Sequence, residues 1–310
     1  YIEGDFIHRQ RAFDLGVIQS DSLTMDKSAT LAKLREIQKK QDSLIASEVN
    51  FIQQNRVNLI LADIPFLAPG FAQAAGVPCW MMSNFGWDFI YRDWLGEFTE
   101  FADWISTWYS KSDRLFRLPF HESMSFFSSI TDVGLTGGNP RFAAEEIRNT
   151  WGITAPKSQT ILLTFGGLGL QEIPYSNIQK FPDWQFITFD QSAPTLPNLI
   201  KITDRKYRPV DFMPICNRVI SKPGYGTFSE ATKLDIPIVT IPRDDFAEAP
   251  FLLEGIQNFN HHQIITPEEF FQDNWNFLHQ PPQPPKQTKP LAKDGNEQIA
   301  QEVIGYLRNL

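Results

Sequence analysis

The chain has 310 residues, of which 42% are hydrophobic and 21% charged, and its formal net charge is −8. That balance excludes a disordered or fibrous polypeptide, and the length suits two ordinary domains. Both halves are acidic, so neither offers the basic surface that nucleic acid requires, and Cys79 and Cys216 are too few for a disulfide framework or a zinc site.

The chain opens on Tyr1 without a charged and apolar leader. It reads as starting inside a longer polypeptide, with a first strand and loop ahead of it. Leu31, Leu34, Ile37, Leu44, Ile45, Val49 and Ile52 fall on one stripe, which predicts a helix over Leu31–Asn55. A strand over Val57–Ala62 follows, then a helix over Pro69–Ala75 ended by Gly76, then a strand over Pro78–Ser83. The stretch Val57–Met82 holds Asp63, Gln73 and three prolines, so it is not a membrane span. Phe85–Tyr109 is dense in aromatic residues, but Arg92 alone faces Asp88, Asp93, Glu97, Glu100 and Asp103. Anionic lipid would repel such a segment, which reads as core and pocket wall.

Leu135–Arg141 is rich in glycine and proline and marks the domain boundary. Strands are then expected at Gln159–Phe165, Gln185–Phe189, Leu199–Ile202, Arg218–Ser221 and Pro237–Ile241, with helices at Asp211–Ile215 and Phe228–Leu234. Pro281–Pro290 reads as a polyproline connector leading to a last helix, Asn296–Leu310. Strand–helix alternation restarting after the boundary points to an α/β protein of two Rossmann-like domains.

Arg218–Ala231 carries the strongest site signal. A strand runs into Lys222-Pro-Gly-Tyr-Gly-Thr227, and a helix opens there. Gly224 and Gly226 permit close backbone approach, the amides of Tyr225 and Thr227 lie at a helix N-terminus, and Lys222 adds a full charge. Together they suit a diphosphate. Gly166 and Gly167, after the preceding strand, join that set, and Glu230, one turn into the helix, suits a ribose hydroxyl. There is no P-loop. Gly167-Leu-Gly169 is followed by Glu172 where a dinucleotide fingerprint needs glycine. Beyond the Pro237–Ile241 strand, Asp244, Asp245 and Glu248 crowd one acidic loop, where carboxylates suit sugar hydroxyls.

The order Lys-Pro-Gly-Tyr-Gly-Thr-Phe-Ser-Glu-Ala, helix, Pro-Ile-Val-Thr-Ile-Pro-Arg, acidic loop resembles the donor half of a GT-B nucleotide-sugar glycosyltransferase. It is similar to the peptidoglycan N-acetylglucosaminyltransferase family, and more so to the glycosyltransferase-like portion of plant-type L-arabinokinases. Asp14–Asp21, Val77-Pro78 and Ser83–Tyr91 fit the same pattern. The resemblance implies two domains facing each other across a cleft: 1–138 on the acceptor side, 139–295 on the nucleotide-sugar side, and a closing helix over 296–310. The Gly/His-rich loop that faces the acceptor in such families has no counterpart here. Neither has the sugar-kinase domain of the arabinokinases, so kinase activity is not carried over.

The remaining candidates are weak. His261 and His262 are adjacent, point different ways, and are expected at the surface rather than on a metal. His8 and His121 are isolated, the latter after an expected strand end at Leu118–Phe120. The reading is therefore a cytoplasmic enzyme that moves a sugar from a nucleoside-diphosphate sugar to an unknown acceptor. No metal and no cofactor is expected, because the nucleotide sugar is the substrate. Asp63 is the one candidate base. A non-catalytic nucleotide- or sugar-binding module, or a scaffold presenting residues 85–109, are the alternatives.

Overall fold

A computed structural model describes residues 4–19, 25–165, 173–243, 245–272 and 274–310. By packing, the chain forms one unit from Tyr1–Ile18, Asp26–Leu115 and Ser125–Ile130, and a second from Gln19–Met25, Phe116–Met124 and Thr131–Leu310.

The first unit is organised by α1 (Lys27–Gln54), 28 residues long and one turn longer at its start than the apolar stripe implies. Asp26 explains the difference, because its carboxylate accepts from the Ala29 amide and caps the helix there. The buried face carries Leu34, Ile37 and Ile52 as expected, and also Glu48. The guanidinium of Arg9 meets that carboxylate with both of its terminal nitrogens, so the buried charge is paired. Next come β1 (Ile60–Ala62), α2 (Ala68–Ala75) and β2 (Cys79–Ser83), with β1 and β2 parallel and Leu61 opposite Trp80. Gly76 ends α2 in the left-handed conformation at φ 73°. The expected Val57–Ala62 strand is three residues long, since Val57 still donates its amide to Ile52 at the end of α1.

The aromatic segment forms α3 (Trp87–Asp93) and α4 (Phe98–Tyr109), whose Tyr91, Phe101 and Tyr109 are buried. A Cβ on Gly70 of α2 would lie 2.6 Å from the Trp108 ring, so that glycine lets α4 pack close. Strands β3 (Arg114–Arg117) and β4 (Ile130–Asp132) complete a sheet of order β1-β2-β3-β4.

After residues 131–143 the second unit continues with α5 (Ala144–Trp151). Its sheet contains β5 (Thr160–Leu163), β6 (Gln185–Thr188), β7 (Leu199–Lys201), β8 (Arg218–Ser221), β9 (Ile238–Thr240) and β10 (His262–Ile264). All are parallel, in the order β10-β9-β8-β5-β6-β7. Strand residues alternate between faces, and the sheet is covered on both. Leu162, Val219 and Ile238 pack with Phe212, Phe228 and Leu252, while Leu163, Ile220 and Val239 pack with Phe270, Trp275 and Phe277. The covering helices are α6 (Pro209–Phe212), α7 (Tyr225–Lys233), α8 (Ala249–Phe259) and α9 (Pro267–Phe271), followed by α10 (Gly295–Leu307). The helix expected over Asp211–Ile215 divides into α6 and a 3₁₀ turn over Met213–Ile215.

Two expectations are corrected here. Pro281–Pro290 is not a free connector. Gln283 exchanges both backbone hydrogen bonds with His262, and the amides of Lys286 and Gln287 donate to the carbonyls of Gln257 and Asn258 in the last turn of α8. A proline-rich strap thus covers the edge strand β10, which would otherwise be open for pairing. His262 is not at the surface but 3% exposed, with Nδ1 3.0 Å from the Asn260 carbonyl oxygen, because β10 turns it into the unit. Among the described residues no group of His, Cys, Asp or Glu could hold a metal ion. Both cysteines are free and buried, and burial pushes the Cys79 thiol up to about 12.

Candidate functional site

In the second unit, the order of strand addition reverses at β5: β6 and β7 build outward on one side, β8 to β10 on the other. Ligands of open parallel sheets bind beyond the carboxyl ends of the strands at such a switch point. Ile161 lies opposite Arg218 and Val219 opposite Ile238, so β5, β8 and β9 end on the same side. The segments after these three strands are the ones singled out from the sequence: Gly166 and Gly167, Lys222 to Thr227, and Arg243 to Glu248. Gly166, Gly167 and Asp244 lie outside the described residues.

The β8–α7 turn opens a helix whose first amides have no side-chain cap. Gly224 is the N-cap of α7 and supplies no side-chain acceptor for the first-turn amides of Tyr225, Gly226 and Thr227. The first helical hydrogen bond runs from the Phe228 amide to the Gly224 carbonyl. Helix-end amides and dipole together favour a negative group there. Lys222 is half-buried one residue past the end of β8.

The glycines serve this turn through the room they leave. Gly224 is extended, at φ −168°, and neither it nor Gly226 has the positive φ that would demand glycine. A Cβ at either position would meet nothing within 4 Å. Bulk at either position therefore carries no backbone penalty, and what these glycines supply is open space above the amides. Gly226→Ala is expected to fold with unchanged stability or with a gain of up to about 1 kcal/mol, checked by thermal melting, since alanine lowers the entropy of the unfolded chain.

Glu230 is held by a neighbour that sequence reasoning missed. The Gly138 amide donates to its Oε1 at 2.8 Å, and a Cβ on Gly137, which sits at φ 111°, would lie 2.8 Å from its Cγ. Ser229 Oγ donates to the Thr136 carbonyl at 2.7 Å, and the Tyr225 hydroxyl lies 3.0 Å from Thr136 Oγ1. The Tyr225 side chain is thus turned onto the 136–138 strap, which leaves its amide as its part of the turn. Burial raises the Glu230 pKa, against the opposing pull of the Gly138 amide and the Arg208 charge. The Gly137-Gly138 pair, read as a boundary, lets this strap pass close over α7.

The acidic loop is more enclosed than its composition implies. Glu248 is buried at the N-cap of α8, Asp245 is half-buried, and Arg243 is buried with its guanidinium 4.9 Å from the Phe246 ring centre.

In the first unit, Asp63 follows β1 and lines an open pocket of about 550 Å³ together with Arg11, Phe13, Asp14, Pro65 and Phe71. Ile64, buried and β-branched, has φ 56°, a costly conformation held by a 3.0 Å hydrogen bond from the Tyr109 hydroxyl to its carbonyl. Burial pushes the Asp14 carboxyl up to about 6, with the charge of Asp63 adding to the rise. The Trp87 indole N–H offsets part of it, although its Nε1 is buried without reaching full hydrogen-bond geometry with any group. Asp63 is exposed on one side and is raised by burial alone. Asp14 belongs to the Asp14–Asp21 run quoted for the family resemblance, and nothing in the spacing of that run places it beside Asp63.

No protein-family model matches the chain. It is 30% identical over 256 residues, 79% of its length, to an L-arabinokinase of Arabidopsis thaliana, and it spans 24% of that protein's length. Among solved structures it is similar to the glycotransferase of kitacinnamycin, with a TM-score of 0.56 at 14% identity, covering 84% of this chain and 77% of the other. It is likewise similar to the spinosyn rhamnosyltransferase SpnG complexed with thymidine diphosphate, with a TM-score of 0.54 at 13% identity and coverages of 87% and 72%. The chain has the GT-B glycosyltransferase fold and resembles a segment of L-arabinokinase in sequence. Among the described residues no helix is long and apolar enough to cross a membrane.

Proposed function

We propose that this chain, with its GT-B fold, moves a sugar from a nucleoside-diphosphate sugar to an acceptor hydroxyl. The observation that carries the reading is the β8–α7 turn. First-turn amides without a side-chain cap, open space above Gly224 and Gly226, and Lys222 beside them occur together at the switch point of a parallel sheet. In the similar rhamnosyltransferase the bound molecule is thymidine diphosphate, a ligand of the class this turn suits.

In this reading the anomeric C–O bond breaks and its electron pair leaves with the diphosphate. The leaving group gains negative charge, which the amides of 225–227 and the Lys222 ammonium stabilise. With that charge met by the protein, no metal ion is required. Glu230 takes a ribose hydroxyl with the oxygen that Gly138 does not occupy, and Asp244, Asp245 and Glu248 are assigned to the sugar. The acceptor hydroxyl supplies the attacking oxygen, and its proton needs a base.

The test is a thermal-shift screen of the chain against UDP, TDP, ADP and GDP, each beside its nucleoside. At one hundred times its dissociation constant a bound diphosphate stabilises by about 2.7 kcal/mol. A shift with at least one diphosphate and none with its nucleoside at the same concentration is expected. No shift with any diphosphate overturns the reading. Binding without release of diphosphate from a nucleotide sugar turns it into that of a binding module.

A further inference from the structure

We propose that the second unit carries a further ligand site, a pocket at the amino ends of β5, β6 and β7 that takes one pyranose ring of a neutral carbohydrate. The site belongs to one unit, lies at the opposite edge of the sheet from the β8–α7 turn, and does not rest on the diphosphate reading.

The pocket is open and has a volume of about 290 Å³, at the small end of ligand sites, which run from roughly 300 to 1,000 Å³. Three segments form it. Thr154 and Ala155 precede β5, residues 182–185 lead into β6, and Pro197 and Asn198 lead into β7. Gln185 Oε1 accepts from the Thr154 and Ala155 amides, each at 2.7 Å, which joins the first segment to the second. Asn198 Nδ2 donates to the Ile178 and Phe181 carbonyls at 3.0 and 2.9 Å, which fixes the third. Asn198 is 9% exposed, and with both N–H groups spent its Oδ1 is the acceptor it offers to the pocket it lines. Walls held in this way need little reordering to bind.

Trp184 supplies the platform. Phe181 and His279 meet its ring at 60° and 80°, with centroids 5.6 and 6.1 Å away, so they brace the indole without stacking on its face. The side chain is half-buried, and Pro182 and Pro197 extend the apolar surface beside it. Around that surface stand the Asn198 carbonyl oxygen, the exposed Asp183 carboxylate and the Thr154 hydroxyl. A pyranose has the matching form. Its C–H bonds pack on an aromatic face, whose π-cloud attracts their positive ends, and its rim of hydroxyls donates to such acceptors. Among the described residues no lysine or arginine lines the pocket, so it does not suit a phosphate. Asp183 is its one charge, and an exposed ion pair contributes little, so an organic cation would draw on little else there, whereas a sugar uses all three acceptors.

The experiment uses the whole chain with methyl α- and β-glucopyranoside, methyl β-galactopyranoside and methyl β-xylopyranoside as probes, and tetramethylammonium as a cationic control. Saturation-transfer NMR detects binding, and titration gives the dissociation constant, on the order of 1 mM for one sugar ring in a small site. At least one glycoside is expected to bind, with its ring C–H protons receiving the transfer. Trp184→Ala should weaken it at least ~10-fold, through loss of the face it packs on. Asp183→Ala should weaken it about tenfold, through loss of a hydrogen bond to a charged group. Asp183 is exposed, so Asp183→Ala keeps the fold, checked by thermal melting, and decides the matter even where Trp184→Ala folds poorly. A saturating nucleoside diphosphate should leave glycoside binding unchanged, because the β8–α7 turn lies at the other edge of the sheet. No binding by any glycoside overturns the proposal, as does binding of tetramethylammonium in their place. Glycoside binding that survives Asp183→Ala intact, or that the diphosphate displaces, also overturns it and puts the sugar elsewhere. Absence of diphosphate binding overturns the transfer reading alone, and the two variants then decide this one.

Discussion

Lys222→Ala is expected to weaken binding of the preferred nucleoside diphosphate by about ten- to a hundredfold and to leave the corresponding nucleoside nearly unaffected. The lysine follows β8 directly and precedes a helix start whose amides carry no side-chain cap. A hydrogen bond to a charged group contributes about 1.5–3 kcal/mol, and each 1.4 kcal/mol is about a factor of ten in affinity. The nucleoside lacks the phosphates and so reports any general damage to the site. Paired titrations of UDP and uridine, or TDP and thymidine, make the comparison by calorimetry. Equal loss for both ligands, or no loss for either, places the diphosphate elsewhere. Gly226→Ala serves as the companion variant, because its fold is expected to survive and any lost affinity then reports on the space above the amides.

The second large effect is on stability. Arg141→Ala is expected to destabilise the second unit by about 3 kcal/mol, at the low end of the cost of breaking a buried ion pair. Asp211, 1% exposed, accepts from Arg141 Nη2 at 2.7 Å, from the Arg141 amide at 3.0 Å and from the Arg208 amide at 2.9 Å. The two amide hydrogen bonds survive the substitution, which sets the loss at the low end. For a unit of this size about 3 kcal/mol is roughly 6–12 °C in melting temperature.

The same pair predicts a pH effect. Burial raises the Asp211 pKa, but the Arg141 side chain and the two amides outweigh it and hold the carboxyl below its ordinary range. A depressed carboxylate stabilises above the unfolded value, roughly pH 4, and that contribution is lost as pH falls through the folded value. Arg141→Ala should therefore flatten the acid side of the stability profile as well as lower its plateau. Denaturant unfolding between pH 3 and pH 7 measures both. A parallel downward shift with the acid slope kept intact would mean that the guanidinium acts by packing rather than by charge.

Local periodicity and turn chemistry carry much of the fold. The α1 stripe, Gly76 closing α2, the β8 strand and the glycine turn opening α7 are each set by residues within a few positions of one another, and all appear where the sequence puts them. The apolar run in Thr160–Leu163, buried at all four positions, likewise marks a sheet covered on both faces.

What the sequence left open involves partners far apart along the chain. Glu48 looks like a surface charge on a helix until Arg9, 39 residues away, is found against it. The proline run looks like a linker until Gln283 pairs with His262, which also takes that histidine out of solvent. Gly137-Gly138 looks like a boundary until its amide meets Glu230, 92 residues on. Gly224 and Gly226 mark a turn by type and order, but only their φ angles and surroundings reveal that they supply room rather than conformational freedom. Asp14 carries no local signal of its raised pKa, which comes from burial in the folded unit with the charge of Asp63 adding to it, against the opposing pull of the Trp87 indole. Hydrophobic period and turn residues act over one or two turns of chain, so sequence alone determines the elements and the αβ order. Burial, charge pairing and proton affinity depend on the dielectric and the charges that distant segments bring together, and those only the tertiary structure decides.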